Sequence, residues 1–294
     1  MRWRYLKDRG NTAGMKAALI FANSLFFLML IGLYYKSRPI LALKSLSHLL
    51  GSSVWLPTQG QFGFYPFIVG TVEVTLIAMI LAVPTCLLAA VWLAEYSSRR
   101  FREALRVVID LMAGIPSVIY GLFGVIVIVP LVRDVGRALG RQTTGYTLLA
   151  GGVILAVMVA PIIISVSVEV LRAVPMEARE TSLALGITKW AAVRHVLFKS
   201  ARHGLLSAVV LGFARAFGET IAVLMVVGNV ARVPHSLFDP AYPLPALIAN
   251  NYGEMMSIPL YDSALMLAAL ILLVVVGVFH MVAHLALYRM EKGS

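Results

Sequence analysis

Six long apolar runs constrain this chain more than any other feature. They lie at 17–35, 74–94, 111–132, 146–168, 204–227 and 263–287. A bilayer core of about 30 Å takes roughly 20 residues of α-helix to cross. The runs are rich in Leu, Val, Ile, Ala and Phe and lack the period-two alternation of barrel strands, so a helix is predicted for each. With 60% hydrophobic and 13% charged residues, the expected fold class is all-α, a polytopic membrane protein with six transmembrane helices. The first run is too long for the core of a secretory signal and no small-residue cleavage site follows it, so it is expected to stay as a span.

Lysine and arginine set the orientation. With the N-terminus inside, the inner segments 1–16, 95–110, 169–203 and 288–294 hold 5, 4, 6 and 2 of them. The outer segments 36–66, 133–145 and 228–262 hold 3, 3 and 1. This bias predicts cytoplasmic N- and C-termini and a cytoplasmic loop at 171–203. The formal charge of +11 is distributed as that topology requires, so it is read as membrane orientation rather than nucleic-acid binding. Cys86 is the only cysteine and lies inside an apolar run, so neither a disulfide nor a metal cluster is expected.

The organisation expected is a cytoplasmic segment 1–16, a first helix and outer loop 17–66, a core of five helices 67–287, and a tail 288–294. The outer loop contains SLSHLLGSSVWLP, read as a short interfacial helix with Trp55 at headgroup level. In the loop 228–262, punctuated by five prolines, 244–255 is read as a short helix. No internal repeat is found, which argues against a secondary transporter of inverted halves.

The loop 171–203 is long and helix-prone. Pro175 suits a first helical turn, Glu177 and Glu180 suit its N-terminal dipole, and Gly186 suits a left-handed stop. A helix over MEARETSLAL, a bend at Gly186 and a second helix at 188–198 running back to the membrane are predicted. On physical grounds the segment is either a peg that enters a partner's groove or an amphipathic connector lying on headgroups.

Arg215 stands eleven residues into the fifth run, roughly 16 Å along a helix and close to the bilayer centre. Inserting arginine there costs about 2.5–3.5 kcal/mol, so a cavity or partner is expected to receive it. Glu219, four residues on, is expected to share its face and pair with it. One reading is an ion pair that fixes helix packing. The other is an anion relay, in which the guanidinium fork meets a tetrahedral oxyanion and Glu219 holds it when empty. Gly212 and Gly218 are expected to permit close helix approach.

Other residues carry less. Glu73 is an interface residue or a cross-helix partner. Asp110 is expected to pair with Arg106 one turn away. Pro84, Pro116 and Pro161 are expected to kink their spans. His280 and His284 have ligand spacing without a third ligand and are read as snorkelling inward. Asn229 suits either the outer mouth or a helix cap.

The loop resembles the coupling loop of permease subunits in ABC importers, whose pattern is Glu-Ala-Ala, three residues, Gly, nine residues, Ile-x-Leu-Pro. Here it reads Glu180-Thr181-Ser182, then Gly186, then Val196-Leu197-Phe198-Lys199, with Lys199 where the family usually has proline. FGFYPFIVGT at 62–71, AGIPSVIYGLFG at 113–124, SVEVLRAVP at 167–175 and LGFARAFGETIAVLMVVGN at 211–229 resemble phosphate-specific importer permeases of the PstC type.

The resemblance implies a type I ABC importer permease (MetI-like) fold in a prokaryotic inner membrane. It implies a coupling set of Glu177, Ala178, Glu180, Thr181, Ser182, Leu183, Ala184 and Gly186, and a phosphate path at Arg215, Glu219, Thr220 and Asn229. It also implies partners: a second permease of the PstA type, two ATPase subunits that carry ATP and Mg, and an external phosphate-binding protein. The chain has no GxxxxGK[ST] loop, so it is expected to be no enzyme and to bind no cofactor itself. Permeation of sulfate or molybdate, ATP-independent anion transport, and a non-transporting scaffold are the alternatives, since any tetrahedral oxyanion suits an arginine.

Overall fold

The structure, a computed structural model, describes residues 2–254 and 257–292; side chains at 2–10, 183, 286, 287 and 290–292 fall outside the description. Among the described residues six helical stretches have the length and apolarity to cross a membrane: Asn11–Leu43, Tyr65–Tyr96, Ser117–Ala138, Leu148–Arg172, Lys189–Gly218 and Tyr261–Leu285. They match the six runs of the sequence, with differences at their ends that change the functional site.

Helix α1 (Arg2–Leu43) is exposed along most of its length and leans on the last helix near Ile40 and Ser37. After it come α2 (Leu46–Gly51), capped by the Ser45 hydroxyl, and a hairpin of β1 (Trp55–Leu56) and β2 (Gln61–Phe62). The short helix expected over this loop covers only Leu46–Gly51, and Trp55 lies beyond it in β1, packed into an aromatic cluster. Its ring centroid lies 4.9 Å from Phe67, 5.4 Å from Phe62, 5.6 Å from Phe64 and 6.2 Å from Tyr261. Four ring neighbours in edge or tilted geometry hold the indole in place. Trp55→Ala is therefore expected to destabilise the fold by about 3 kcal/mol, read as a lower thermal midpoint of the purified protein in detergent.

Helix α3 (Tyr65–Val91) runs through the core and closes with a π-helical turn at Trp92–Tyr96. The Ser98 hydroxyl caps α4 (Arg99–Gly114), none of whose residues is buried. The third run was expected to be continuous from 111. Its first residues belong to α4, and the span proper is α5 (Ser117–Phe123), a π-helical turn at Gly124–Ile128 and α6 (Val129–Ala138). Ile115 is extended, at φ −66° and ψ 128°, because the following proline ring excludes helical backbone. Pro116 thus separates two helices rather than kinking one, whereas Pro84 and Pro161 lie inside continuous helices. Arg106 also departs from expectation: its ion pair is with Glu169, at 3.6 Å, rather than with Asp110.

Helix α7 (Leu148–Arg172) is the centre of the molecule, packed against α3 along its length. Beyond it come α8 (Met176–Ala184), α9 (Lys189–Ala192), a π-helical turn at Val193–Leu197 and α10 (Phe198–Gly218). The last three form one helical run, so the fifth span starts well before the expected 204 and stops well before 227. Lys199 lies inside it. Gly212 seats α10 on α7, since a Cβ there would come within 2.7 Å of Ile163, whereas Gly218 faces open space and makes no close approach. The chain continues with α11 (Ile221–Val226), α12 (Leu244–Asn251) within the expected 244–255, and α13 (Tyr261–Lys292). Phe279 of α13 packs on Phe213 and Phe217 of α10, with centroids 4.3 and 5.2 Å apart.

Candidate functional site

The site has two ends joined by one helical run. At the first end, Arg215 occupies the last turn of α10, where a cation complements the helix dipole. Ala216 and Phe217 are buried, while Arg215 is exposed on the opposite side. Its guanidinium lies within electrostatic reach of Tyr120 in α5. The Tyr120 hydroxyl donates to the Met112 carbonyl at 2.8 Å, bridging the break at Pro116. Helices α5 and α11, each of which follows one of the two helix interruptions, at Ile115–Pro116 and at Glu219–Thr220, pack against each other.

The expected pair of Arg215 with Glu219 is not formed. Glu219 is the residue that ends α10, in extended conformation at φ −77° and ψ 127°. The i, i+4 register requires helix through both residues, and the backbone leaves the helix at Gly218. Glu219 is half-buried and its Oε1 accepts the Thr220 N–H at 3.2 Å, while Thr220 Oγ1 donates to the Gly218 carbonyl at 3.4 Å. Non-helical backbone at membrane depth is tolerated where protein or water satisfies it, not lipid. The break and the exposed cation lie side by side at the end of α10.

Asn229 lies past α11 in left-handed conformation, φ 52°. Its amide donates to the Leu224 carbonyl at 2.8 Å, so it caps the end of α11. It also lines a cavity of about 590 Å³ with Thr144, Tyr146, Met225 and Pro240. Of the two readings offered by the sequence, cap and outer mouth, the hydrogen bond shows the cap. Glu73 lines a separate cavity beside His235, about 280 Å³ in volume.

At the second end, α8 starts just after Pro175 and the chain turns at Gly186, which is left-handed at φ 75°. No atom lies within 4 Å of where its Cβ would be, so glycine is required by conformation rather than by space. The Thr188 hydroxyl caps α9. The expected coupling residues divide into two sets. Glu177, Glu180, Thr181, Ala184 and Gly186 are exposed, beside exposed Met176, Leu185 and Trp190. Ala178 packs inward, and buried Ser182 donates to the Arg179 carbonyl at 2.8 Å. The side chain of Leu183 lies outside the described residues.

Three residues of this end were missed by sequence reasoning. Arg179 of α8 meets Glu95, in the π-helical turn after α3, at 3.2 Å, with only 18% and 10% of the two side chains exposed. Arg179 also donates to the Leu171 carbonyl at 2.6 Å. Lys189, the first residue of α9, donates to the backbone carbonyl of Glu95 and lies over the Tyr96 ring, 4.6 Å from its centroid. The available signal was a carboxylate at the inner end of an apolar run opposite an arginine-bearing loop, but in the sequence those cations served only to set orientation.

Residues 86–290 match the family described as binding-protein-dependent transport system inner membrane component. The chain is 39% identical to the probable ABC transporter permease protein YqgH of Bacillus subtilis, over 78% of this chain and 74% of that one. It is 33% identical to the phosphate transport system permease protein PstC of Xylella fastidiosa, over 95% and 90% of the two chains. Among solved structures, a chain of the MetNI methionine ABC transporter in an inward-facing conformation superposes with TM-score 0.58 at 19% identity, covering 75% of this chain and 93% of that one. The likeness to that chain is one of fold.

Proposed function

Since this chain belongs to the family of binding-protein-dependent transport system inner membrane components, we propose that it is the permease subunit of an ATP-driven phosphate importer. It is a membrane protein with the fold of type I ABC importer permeases and works with ATPase and other transport subunits. Phosphate is the substrate because relatives that match nearly the whole chain are phosphate permeases and because Arg215 offers a fork suited to a tetrahedral oxyanion. The chain lies in the inner membrane of a prokaryote with both termini in the cytoplasm, in keeping with its distribution of lysine and arginine.

The observation that carries the mechanism is the single helical run Lys189–Gly218. Its 30 residues start at the Gly186 bend and end beside Arg215. At 1.5 Å per residue the run is about 45 Å long, enough to link the inner surface to the substrate path. The exposed face of α8 docks on an ATPase subunit, and ATP and Mg are held by the ATPase pair. Closure of that pair displaces α8, the run transmits the movement, and the path at Arg215, Glu219, Thr220 and Asn229 opens to an external phosphate-binding protein. Hydrolysis resets the inward-facing state.

Arg215 is exposed on this subunit, which fits a path completed by a second permease of the PstA type. A scaffold would have no use for a cation at a helix break on that face. Co-purification from native membranes followed by ATPase assay in lipid tests the proposal. Two ATPase copies and phosphate-stimulated hydrolysis are expected in the presence of the binding protein. Ion-gradient-driven uptake by the purified chain alone would contradict it.

A further inference from the structure

The turn between α8 and α9 is a poor transmitter of force. Gly186 has open space around it, and residues 184–190 are all exposed, so the bend is held by little packing of its own. A glycine-centred bend with few contacts flexes when pushed. A peg joined to the run only through this bend would lose much of the displacement it receives.

The missing stiffness is supplied from another helix. Glu95 touches both sides of the bend. Its carboxylate meets Arg179 on α8, and its backbone carbonyl receives Lys189 at the start of α9. The carboxylate is nearly buried, and among the described residues neither Glu95 Oε1 nor Arg179 Nε has a hydrogen-bond partner, so the ion pair is the main compensation of the Glu95 charge and shares that of Arg179 with the Leu171 carbonyl. Glu95 is itself held in place. Arg102 of α4 donates to the carbonyls of Leu93, at 2.7 Å, and Ser97, at 2.9 Å, on either side of it. The clamp therefore ties α3, α4, α8 and α9 together where the bend is weakest.

We propose that Glu95 is a positioning residue that locks α8 to the Lys189–Gly218 run, so that peg and run move as one body. This rests on the importer reading and adds a second route, through α3, by which displacement of α8 reaches the membrane core. Loss of the clamp lets α8 move with the ATPase while the run lags, and ATP is then hydrolysed without transport.

The test uses the complete importer in lipid vesicles, with phosphate as substrate. Glu95→Gln and Arg179→Gln are expected to retain ATP hydrolysis while phosphate moved per ATP falls about tenfold or more, since each leaves a buried charge unpaired. Exchange of the two charges, Glu95→Arg with Arg179→Glu, is expected to recover part of the loss by re-forming the pair in reverse, whereas a purely local destabilisation lowers the thermal midpoint and leaves the phosphate-to-ATP ratio of assembled complexes unchanged. Assembled single variants with an unchanged phosphate-to-ATP ratio would overturn the proposal. A second measurement does not depend on those variants folding: the distance between spin labels at Met176→Cys and Arg194→Cys. It is expected to be the same with and without trapped ATP, and a nucleotide-dependent change would also overturn the proposal. Failure of the unsubstituted importer to show ATP-dependent phosphate uptake would instead count against the importer reading, leaving the clamp to be judged by the label distance.

Discussion

Replacing Arg215 with alanine is expected to lower ATP-driven phosphate uptake by the assembled importer about a hundredfold or more. Two charge-assisted hydrogen bonds from one guanidinium, each worth about 1.5–3 kcal/mol, account for a loss of that size. Arg215→Lys keeps the charge but not the planar fork, and an intermediate rate is expected. Glu219 does not hold the arginine, so Glu219→Gln is expected to be much milder than Arg215→Ala. Uptake per assembled complex is the quantity to measure. If Arg215 only secured helix packing, Arg215→Ala would lower yield or thermal midpoint and leave uptake per complex unchanged.

The second large effect is at Gly186. Its φ of 75° is unavailable to proline, whose ring fixes φ near −65°. Gly186→Pro is expected to re-aim α8 and reduce phosphate moved per ATP about a hundredfold, or to prevent docking of the ATPase altogether. Gly186→Ala meets no atom within 4 Å and pays only the left-handed backbone cost, about 1 kcal/mol, so it is expected to stay largely coupled. The contrast between the two substitutions separates conformation from side-chain bulk. Unchanged coupling in Gly186→Pro would remove the bend from the mechanism.

The sequence exposes the spans clearly because crossing a bilayer demands a length of apolar residues that little else produces. It exposes the α8 peg for a local reason: proline, acidic first turn and left-handed glycine each act within a few residues. Helix ends are less legible. Lys189, Arg194, Lys199 and Arg202 lower the hydropathy of 189–203 while the backbone stays helical, so the apolar run stops where the helix does not. The same error in reverse extends the fifth span past Gly218 and creates an Arg215–Glu219 pair that the extended backbone at Glu219 removes.

The hairpin at Trp55 was illegible because two short strands are set by aromatic partners that come from distant parts of the chain. The Glu95 clamp was illegible for a related reason. Glu95 and Arg179 are 84 positions apart, and the packing of α3 and its terminal π-helical turn against α7 brings them together.

The most direct test of the account is the length of the Lys189–Gly218 run during turnover. Spin labels at Trp190→Cys and Leu211→Cys, in a Cys86→Ala background, report it in the complete importer in lipid. One narrow distance of roughly 32 Å, unchanged between nucleotide-free and ATP-trapped states, is expected of a rigid helical link. A distance that shortens or broadens when ATP is trapped would mean that the run bends, and that movement at the inner surface is not carried to Arg215.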